Sequence, residues 1–226
     1  MLEASLADKS WTAAPAEQMG SFADKPPAVM LDIDETVLDN SSYEAWLINN
    51  DKSYGSKTWG PFVDSATSLA IPGSLDFIKY AGSKGVKVFY VSNRKAHLEK
   101  GTRKNLLALG YPIDTSEDTV LLRQEKEAWN SSSKSPRRAY ITANYRLVIV
   151  VGDNLSDFTD SYGGSIAERE AVMKQTRDMW GSKWIMIANP MYGSWESAAF
   201  GHNRKLEKNK QRKMKHDAMS AWAPAD

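Results

Sequence analysis

Two aspartates, Asp32 and Asp34, stand two residues apart directly after a short apolar segment of the sequence. If that segment is a β-strand, its alternation points both carboxyl groups to the same side. Two carboxylates held close together repel each other, so the pair favours a bound cation or one shared proton. The pair therefore suits metal binding or proton transfer, and a turn with capping acids is the alternative.

A second pair of aspartates, Asp153 and Asp157, follows the apolar run 147–151 through a glycine turn. If this run lies beside the first strand in a sheet, Asp153 faces Asp32 at the sheet edge. Oxygen ligands without cysteine or a histidine pair suit Mg²⁺ better than zinc. The alternative is an Asx turn with a helix N-cap at one of the two aspartates.

Two further positions have side chains that could bind a phosphate. Ser92 and Asn93 end another apolar segment, where a hydroxyl and the following backbone amides can hold a phosphate oxygen. Lys134 lies in a polar loop before Pro136 and could reach the same phosphate. The alternatives are a helix N-cap at Ser92 and a solvated surface charge at Lys134.

The candidate residues lie between alternating strand and helix patterns. Short apolar runs predict strands over 28–33, 86–91, 147–151 and 184–188. Helical patterns, three of them ended by a glycine, cover 74–83, 96–109, 136–145 and 165–180. This alternation predicts an α/β fold, a Rossmann-like three-layer structure with a parallel sheet. The active site of such a sheet lies beyond the carboxyl ends of the strands.

Composition divides the chain into four parts. A polar arm covers 1–27, and the α/β core covers 28–38 and 73–200. The stretch 39–72 is rich in aromatic residues and is predicted to be a small cap inserted after the first strand. The segment 201–226 is predicted to be helical and to pack on the core or the cap. Between 203 and 216 it has seven Lys or Arg against Glu207, and a solvated helix is preferred there over a nucleic-acid site.

Overall composition excludes several classes of protein. The net charge is +1, so no global field recruits a nucleic acid polymer. The absence of cysteine excludes disulfide scaffolds, thiol nucleophiles and Cys-ligated metal sites. No apolar run approaches the roughly 20 residues of a transmembrane segment. The first residues lack the features of a signal peptide, which predicts a cytoplasmic protein or an exported protein in its mature form.

The order of these motifs resembles that of the haloacid dehalogenase (HAD) superfamily, and within it the bacterial class C acid phosphatases. The stretch 31–36 (LDIDET) is similar to motif one, 91–94 (VSNR) to motif two, and 152–158 (GDNLSDF) to motif four. Lys134 corresponds to the lysine of motif three, with Lys126 as the fallback. The stretch 189–196 (NPMYGSWE) is similar to a segment characteristic of class C.

The resemblance implies a Mg²⁺-dependent acid phosphatase with an aspartyl-phosphate intermediate. Asp32 would attack phosphorus, and Asp34 would protonate the leaving group and later activate water, which requires a pKa above that of Asp32. Asp32, the backbone carbonyl of Asp34, and Asp153 would bind the metal. Asp157 would orient Lys134 or a metal-bound water. The phosphoryl group would be held by Ser92, Asn93 and Lys134.

The resemblance also implies a substrate class and a setting. Tyr54, Trp59 and Tyr192 would stack on a flat leaving group, which favours nucleoside 5′-monophosphates among small phosphomonoester substrates. The alternative is that these rings form the core of the cap, to which Tyr43 and Trp46 are assigned.

Class C relatives are exported bacterial proteins and are often dimeric. The resemblance therefore implies a homodimer that is located in the periplasm, at the outer membrane or outside the cell. A location in the cytoplasm is not excluded by the sequence. The rival function is a protein on the same fold that binds a nucleotide or another aromatic ligand with little or no turnover. A receiver domain is disfavoured because it is about half as long.

Overall fold

The computed structural model describes residues 1–222 and consists of a central sheet, flanking helices and a small separate ribbon. The strands are β1 (Pro27–Leu31), β2 (Leu38–Asp39), β3 (Leu69–Ala70), β4 (Lys87–Lys95), β5 (Val120–Arg123), β6 (Arg146–Gly152) and β7 (Trp184–Met186). The helices are α1 (Leu2–Ala7), α2 (Ser41–Asn49), α3 (Ser56–Ser65), α4 (Ser74–Ser83), α5 (Glu99–Ala108), α6 (Ser135–Asn144), α7 (Ile166–Gln175), α8 (Ser194–Ala198) and α9 (Lys208–Asp217).

The central sheet has five parallel strands in the order β5-β4-β1-β6-β7. Strand β1 lies in the middle, and its last residue, Leu31, is aligned with Tyr90 of β4 and Val151 of β6. The residues that follow β1 and β6 therefore leave the sheet at the same edge. The predicted fold class, a Rossmann-like α/β fold with a parallel sheet, is confirmed.

Both faces of the sheet are covered, which explains why its strands are apolar throughout. Val29 and Leu31 of β1 pack on one face with residues of α4 and α5, whereas Ala28 and Met30 pack on the other face with Ile141 of α6. All seven residues of β6 are buried. Successive side chains of a strand point to opposite faces, so each strand contributes to both cores.

The predicted strands and helices are present with shifted ends, and one strand of the central sheet was not predicted. Helix α4 has the predicted bounds, whereas α7 is shorter than expected and is followed by a 3-10 turn at Arg177–Met179. Strand β5 was not predicted from the sequence. It has only four residues, Val120–Arg123, at the edge of the sheet, and so lacks the longer apolar run of a central strand.

The insertion after β1 folds as two helices, α2 and α3, between the antiparallel strands β2 and β3. Its small core consists of the buried side chains Tyr43, Leu47, Trp59, Val63 and, from the main domain, Leu98. The assignment of Trp46 to this core was wrong. Its side chain is 42% exposed and stacks on Tyr43 at 6.4 Å between ring centroids, because this face of α2 is turned to solvent.

The two ends of the chain pack on different parts of the main domain. In the N-terminal arm, the indole of Trp11 donates to the carbonyl of Val148 at 2.8 Å, and Arg146 donates to the carbonyl of Ser5. The C-terminal helix α9 is joined to α8 by an ion pair of 2.5 Å between Lys215 and Glu196. Residues 223–226 of the predicted C-terminal segment lie outside the described residues. Within residues 1–222, no helix combines the length and apolar character needed to cross a membrane.

Candidate active site

The candidate residues converge where the central strands end. The backbone N–H of Asp32 donates to the carbonyl of Val151 at 2.9 Å, so the pairing of β1 with β6 extends to this aspartate. Asp153 follows β6 directly, and Asp157 ends the 3-10 turn Leu155–Asp157. Lys134 immediately precedes α6, in which Pro136 occupies the first turn as predicted.

Lys134 joins the two acidic motifs. Its Nζ contacts Oδ1 of Asp32 and lies 2.6 Å from Oδ1 of Asp157, and its side chain is only 1% exposed. The other oxygen of Asp157 accepts from the backbone N–H of Asn154 at 2.9 Å. The fallback lysine lies elsewhere, since Nζ of Lys126 lies 3.8 Å from the ring centre of Tyr140.

Three buried carboxylates, those of Asp32, Asp153 and Asp157, have oxygen atoms within 4.8 Å of one another. Burial raises the pKa of Asp32 well above its ordinary value, against the attraction of Lys134, and the neighbouring aspartates raise it further. Burial and the nearby Asp157 raise the pKa of Asp153 to about 7. The three carboxylates carry more negative charge than one lysine can offset, and an all-oxygen site of this kind fits a hard divalent cation.

Asp34 does not share partners with Asp32. Its Oδ1 accepts from Nη2 of Arg94 at 2.8 Å and from the side-chain amide of Asn40 at 2.9 Å. Its Oδ2 accepts from the hydroxyl of Ser92 at 3.0 Å. Both aspartates lie beyond the last residue of β1, and both line the same cavity, so the predicted common direction of the two carboxyl groups stays a prediction.

The pairing with Arg94 also reverses the expected order of the two pKa values. Burial by itself would raise the pKa of Asp34, but Arg94, helped by Ser92 and Asn40, holds it below its ordinary value. Without a bound cation, the pKa of Asp32 is raised and that of Asp34 is lowered, which is opposite to the predicted order, and the order in the metal-bound enzyme stays a prediction. The sequence signal for this partner was the arginine that directly follows Ser92 and Asn93 in motif two.

Ser92 and Asn93 lie inside β4 and are held in place by buried neighbours. The hydroxyl of Ser92 accepts from the backbone N–H of Arg94 at 3.0 Å, and no helix begins there, so the N-cap alternative was wrong. The side-chain carbonyl of Asn93 accepts from Arg137 at 2.7 Å, and its amide donates to the carbonyl of Ser132 at 3.0 Å. Arg137 is fully buried and was not identified from the sequence.

Tyr54, Trp59 and Tyr192 all line one cavity of about 950 Å³ that also contains Asp32 and Lys134. Their surroundings differ. Tyr54 is 66% exposed, whereas Trp59 is 9% exposed and packs in the core of the cap. The indole of Trp59 also lies 5.3 Å from the guanidinium of Arg94. The cap-core alternative therefore describes Trp59, while Tyr54 lines the cavity and is largely exposed.

Glu35 connects the cavity wall to the acidic motif and was not identified from the sequence. It adopts a positive φ of 58°, and its Oε1 accepts from the backbone N–H of Asn40 at 2.9 Å. The hydroxyl of Tyr192 donates to its Oε2, and burial raises the pKa of Glu35 to about 7. Nothing in the spacing indicated this contact, because it joins segments 157 residues apart.

A parallel α/β sheet with two acidic motifs, a serine and a lysine at its carboxyl edge defines a phosphoryl-transfer site of the HAD type. The chain matches the family described as HAD superfamily, subfamily IIIB (acid phosphatase) over residues 3–195. It is also similar to the class C acid phosphatase of Bacillus anthracis, with 37% identity and a TM-score of 0.78, covering 88% of this chain and 82% of that one. A second structure of that enzyme, with tungstate bound, gives 37% identity and a TM-score of 0.79 over the same shares.

The chain belongs to the subfamily IIIB acid phosphatases of the HAD superfamily. The resemblance stated from the motifs is confirmed, and the protein is a phosphoric monoester hydrolase of the acid phosphatase class. Members of this superfamily generally use a divalent metal, and the buried carboxylates of Asp32, Asp153 and Asp157 could hold one.

Proposed function

We propose that this acid phosphatase is Mg²⁺-dependent, forms an aspartyl-phosphate intermediate at Asp32, and accepts nucleoside 5′-monophosphates among its substrates. The observation that carries the proposal is the buried lysine, Lys134, between Asp32 and Asp157, with Asp153 beside them. This arrangement combines a carboxylate nucleophile, a fixed positive charge and an oxygen-ligand metal site in one place.

In the first step, the carboxylate of Asp32 attacks phosphorus, and the bond from phosphorus to the leaving oxygen breaks. Mg²⁺ held by Asp32 and Asp153, with the backbone carbonyl of Asp34, would supply positive charge that lowers the repulsion between the nucleophile and the phosphate. Lys134 adds a fixed positive charge next to the attacking group, and Asp157 keeps its Nζ in position at 2.6 Å. Ser92 and Asn93 would hold the phosphoryl oxygens once their side chains give up the present hydrogen bonds to Asp34, Arg137 and Ser132.

In the second step, water displaces Asp32 from phosphorus, and Asp34 takes the proton that the water loses. The same carboxyl group supplies a proton to a basic leaving group in the first step. Arg94 fixes the position of Asp34 and favours its ionised form, which is the form needed to accept a proton from water. Substrates whose leaving groups need little protonation, such as aryl phosphates, therefore depend least on proton donation by Asp34.

The substrate proposal rests on the aromatic wall of the cavity. Tyr54 and Tyr192 line the cavity that contains Asp32 and Asp34, and stacking of a base on an aromatic side chain contributes roughly 1–3 kcal/mol. A volume of about 950 Å³ accommodates a leaving group much larger than the phosphate itself. Binding of tungstate, a tetrahedral oxyanion, to the Bacillus anthracis enzyme supports an oxyanion site in this chain.

The first test measures release of inorganic phosphate from an aryl phosphate and from AMP, with Mg²⁺ and with excess EDTA, from mildly acid to neutral pH. We expect turnover with Mg²⁺, its loss in EDTA and its recovery when Mg²⁺ is restored. Turnover that survives EDTA would contradict the metal requirement. A folded protein that binds AMP without turnover would support the rival function, a nucleotide-binding protein.

The second test replaces the nucleophile. Asp32→Asn keeps the shape of the side chain but removes its anionic oxygen, so we expect turnover to be abolished without loss of the fold. Acid quenching of wild-type protein during turnover of a phosphate-labelled substrate should leave label on the protein, and Asp32→Asn should carry none. Asp24→Asn, which changes an aspartate of the N-terminal arm, is the matched control. Retained turnover in Asp32→Asn would contradict the nucleophile assignment.

The resemblance to class C enzymes also supports a setting for this activity. We propose a homodimer that acts in the periplasm, at the outer membrane or outside the bacterial cell. Light scattering of the purified protein tests the oligomeric state, and cell fractionation of the native host tests the location. A monomer at micromolar concentration, or activity confined to the cytoplasmic fraction, would contradict the respective proposal.

A further inference from the structure

We propose that the cavity contains a second anion-binding subsite, formed by Lys95 and Arg123, that receives a second phosphate group carried by the leaving group of the substrate. The inference rests on the proposed phosphatase function and adds a substrate class to it, the bisphosphates. Neither residue is part of the motifs that bind the reacting phosphate.

The sheet brings the two side chains together. Lys95 is the last residue of β4 and Arg123 the last residue of β5, and the two are aligned in the register of the parallel pair. Both line the cavity that contains Asp32 and Ser92, and both are partly buried. Ser92 lies three residues before Lys95 on β4, which separates the two positions by roughly 10 Å along the strand. A substrate that reaches both must be longer than a single phosphate.

These two cations differ from the others at this edge of the sheet. Arg94 is paired with Asp34, Lys134 with Asp32 and Asp157, and Arg137 donates to the backbone carbonyl of Ser92. Among the described residues, no ion pair or side-chain hydrogen bond involves the charged groups of Lys95 or Arg123. Nε of Arg123, like Nε of Arg137, is also buried without a partner. An anion bound in the cavity would give the two unpaired positive charges a partner and so stabilise the wall.

The charges around the pair favour an anion. The cap contributes Glu44 and Lys52 to the cavity lining, which offset each other. The carboxyl group of Glu125, two residues after Arg123, is buried and is not part of the lining. The charge that Lys95 and Arg123 present to the cavity is therefore positive. A guanidinium with a lysine beside it is suited to phosphate, because the planar fork of arginine can donate two parallel hydrogen bonds and lysine adds a point charge.

The test compares kcat/KM for AMP and for adenosine 3′,5′-bisphosphate, measured as phosphate release from the 5′ position, in the wild type and in variants. We expect the wild type to prefer the bisphosphate by about tenfold. Arg123→Gln should abolish the preference, Lys95→Gln should reduce it, and Arg123→Lys should retain part of it. Hydrolysis of an aryl phosphate, which has no second anion, should be unchanged in all three variants.

Arg204→Gln is the matched control, because Arg204 lines the same cavity from the C-terminal segment. We expect it to keep the full preference for the bisphosphate. The inference is overturned if the wild type shows no preference, if Arg123→Gln melts like the wild type and keeps the preference, or if Arg204→Gln lowers it equally. Failure of the phosphatase proposal looks different, since aryl phosphate would then not be hydrolysed either.

Discussion

The carboxyl edge of the sheet and the cap face each other across one cavity, but they are built on different principles. At the sheet edge, Asp32, Asp34 and Lys134 are each fixed by charged partners; Asp32 and Lys134 are almost withdrawn from water, and Asp34 is partly buried. In the cap, aromatic rings pack on one another, and Tyr54 turns most of its surface outwards. This difference indicates that the reacting groups tolerate little displacement, whereas the aromatic surface of the cap can accommodate leaving groups of several shapes.

The physical reason is that different interactions hold the two regions in place. A buried charge that loses its partner leaves an uncompensated charge in a medium of low polarity, which is strongly unfavourable. Stacking between rings depends weakly on the identity of the base and on small shifts. Substitutions at the sheet edge should therefore change kcat, and substitutions in the cap should change KM in a manner that depends on the leaving group.

Lys134→Met gives the sharpest test of the sheet edge. It removes the only cation that contacts both Asp32 and Asp157 among the described residues, so we expect kcat for every phosphomonoester to fall by about 10³-fold. The matched control is Lys126→Met, because Lys126 lies against the rings of Trp129 and Tyr140. Steady-state kinetics with an aryl phosphate and with AMP check the result. A loss of activity restricted to AMP would show that Lys134, like the cap, contributes to binding of the leaving group.

Arg94→Lys tests whether the geometry of Asp34 matters as well as the charge beside it. Lysine keeps the positive charge but cannot donate from both Nε and Nη2, which contact Asp34 at 3.0 and 2.8 Å. We expect kcat to fall by about 10²-fold with KM for an aryl phosphate nearly unchanged. Arg103→Lys, at a partly exposed arginine paired with Glu99, is the control. Equal kcat values for Arg94→Lys and wild type would show that charge alone suffices.

The two regions also differ in how much of them the sequence predicts. The sheet and its edge follow from apolar runs that alternate with helical patterns, since strands buried on both faces are apolar along their whole length. The order of these runs along the chain is enough to predict that Asp32, Ser92 and Asp153 meet at one edge of the sheet. The four-residue strand β5 gave too short a signal.

Side-chain partners were not predictable in the same way. The contacts of Asp34 with Arg94 and of Glu35 with Tyr192 depend on where loops beyond the strands meet, and no periodicity describes loops. The cap presents the same difficulty. Its aromatic residues have similar spacing and hydrophobicity, so the sequence could not tell the buried Trp59 from the exposed Trp46.

Tyr54→Ala tests whether the cap meets the leaving group through an exposed ring. We expect KM for AMP to rise about tenfold, and KM for a small alkyl phosphate to stay near the wild-type value, because only the base can stack. Stability should change little, since the side chain is 66% exposed. Trp59→Ala is the contrasting variant. It removes a ring from the cap core and should lower the free energy of unfolding by about 3–5 kcal/mol. Equal effects of Tyr54→Ala on both substrates would argue against stacking.

The smallest expected effect concerns how the cap is seated on the main domain, at the contact between α3 and α5. A methyl group at Gly101 of α5 would come within 2.7 Å of the carbonyl oxygen of Val63 and 3.0 Å of Cα of Asp64, both in α3. Gly101→Ala must therefore push the cap away, which should lower the free energy of unfolding by about 1–3 kcal/mol.

Because Gly101→Ala displaces the cap and leaves the sheet edge in place, we expect KM for AMP to rise a few-fold while kcat for an aryl phosphate stays near the wild-type value. Gly60→Ala is the matched control in α3. Its added methyl group would meet only Leu98, at 3.9 Å, and alanine favours a helix over glycine by about 1 kcal/mol. Thermal unfolding and kinetics of the two variants check this. If Gly101→Ala lowered kcat for the aryl phosphate as much as it raised KM for AMP, the cap would take part in positioning the reacting groups, and the two regions would act as one.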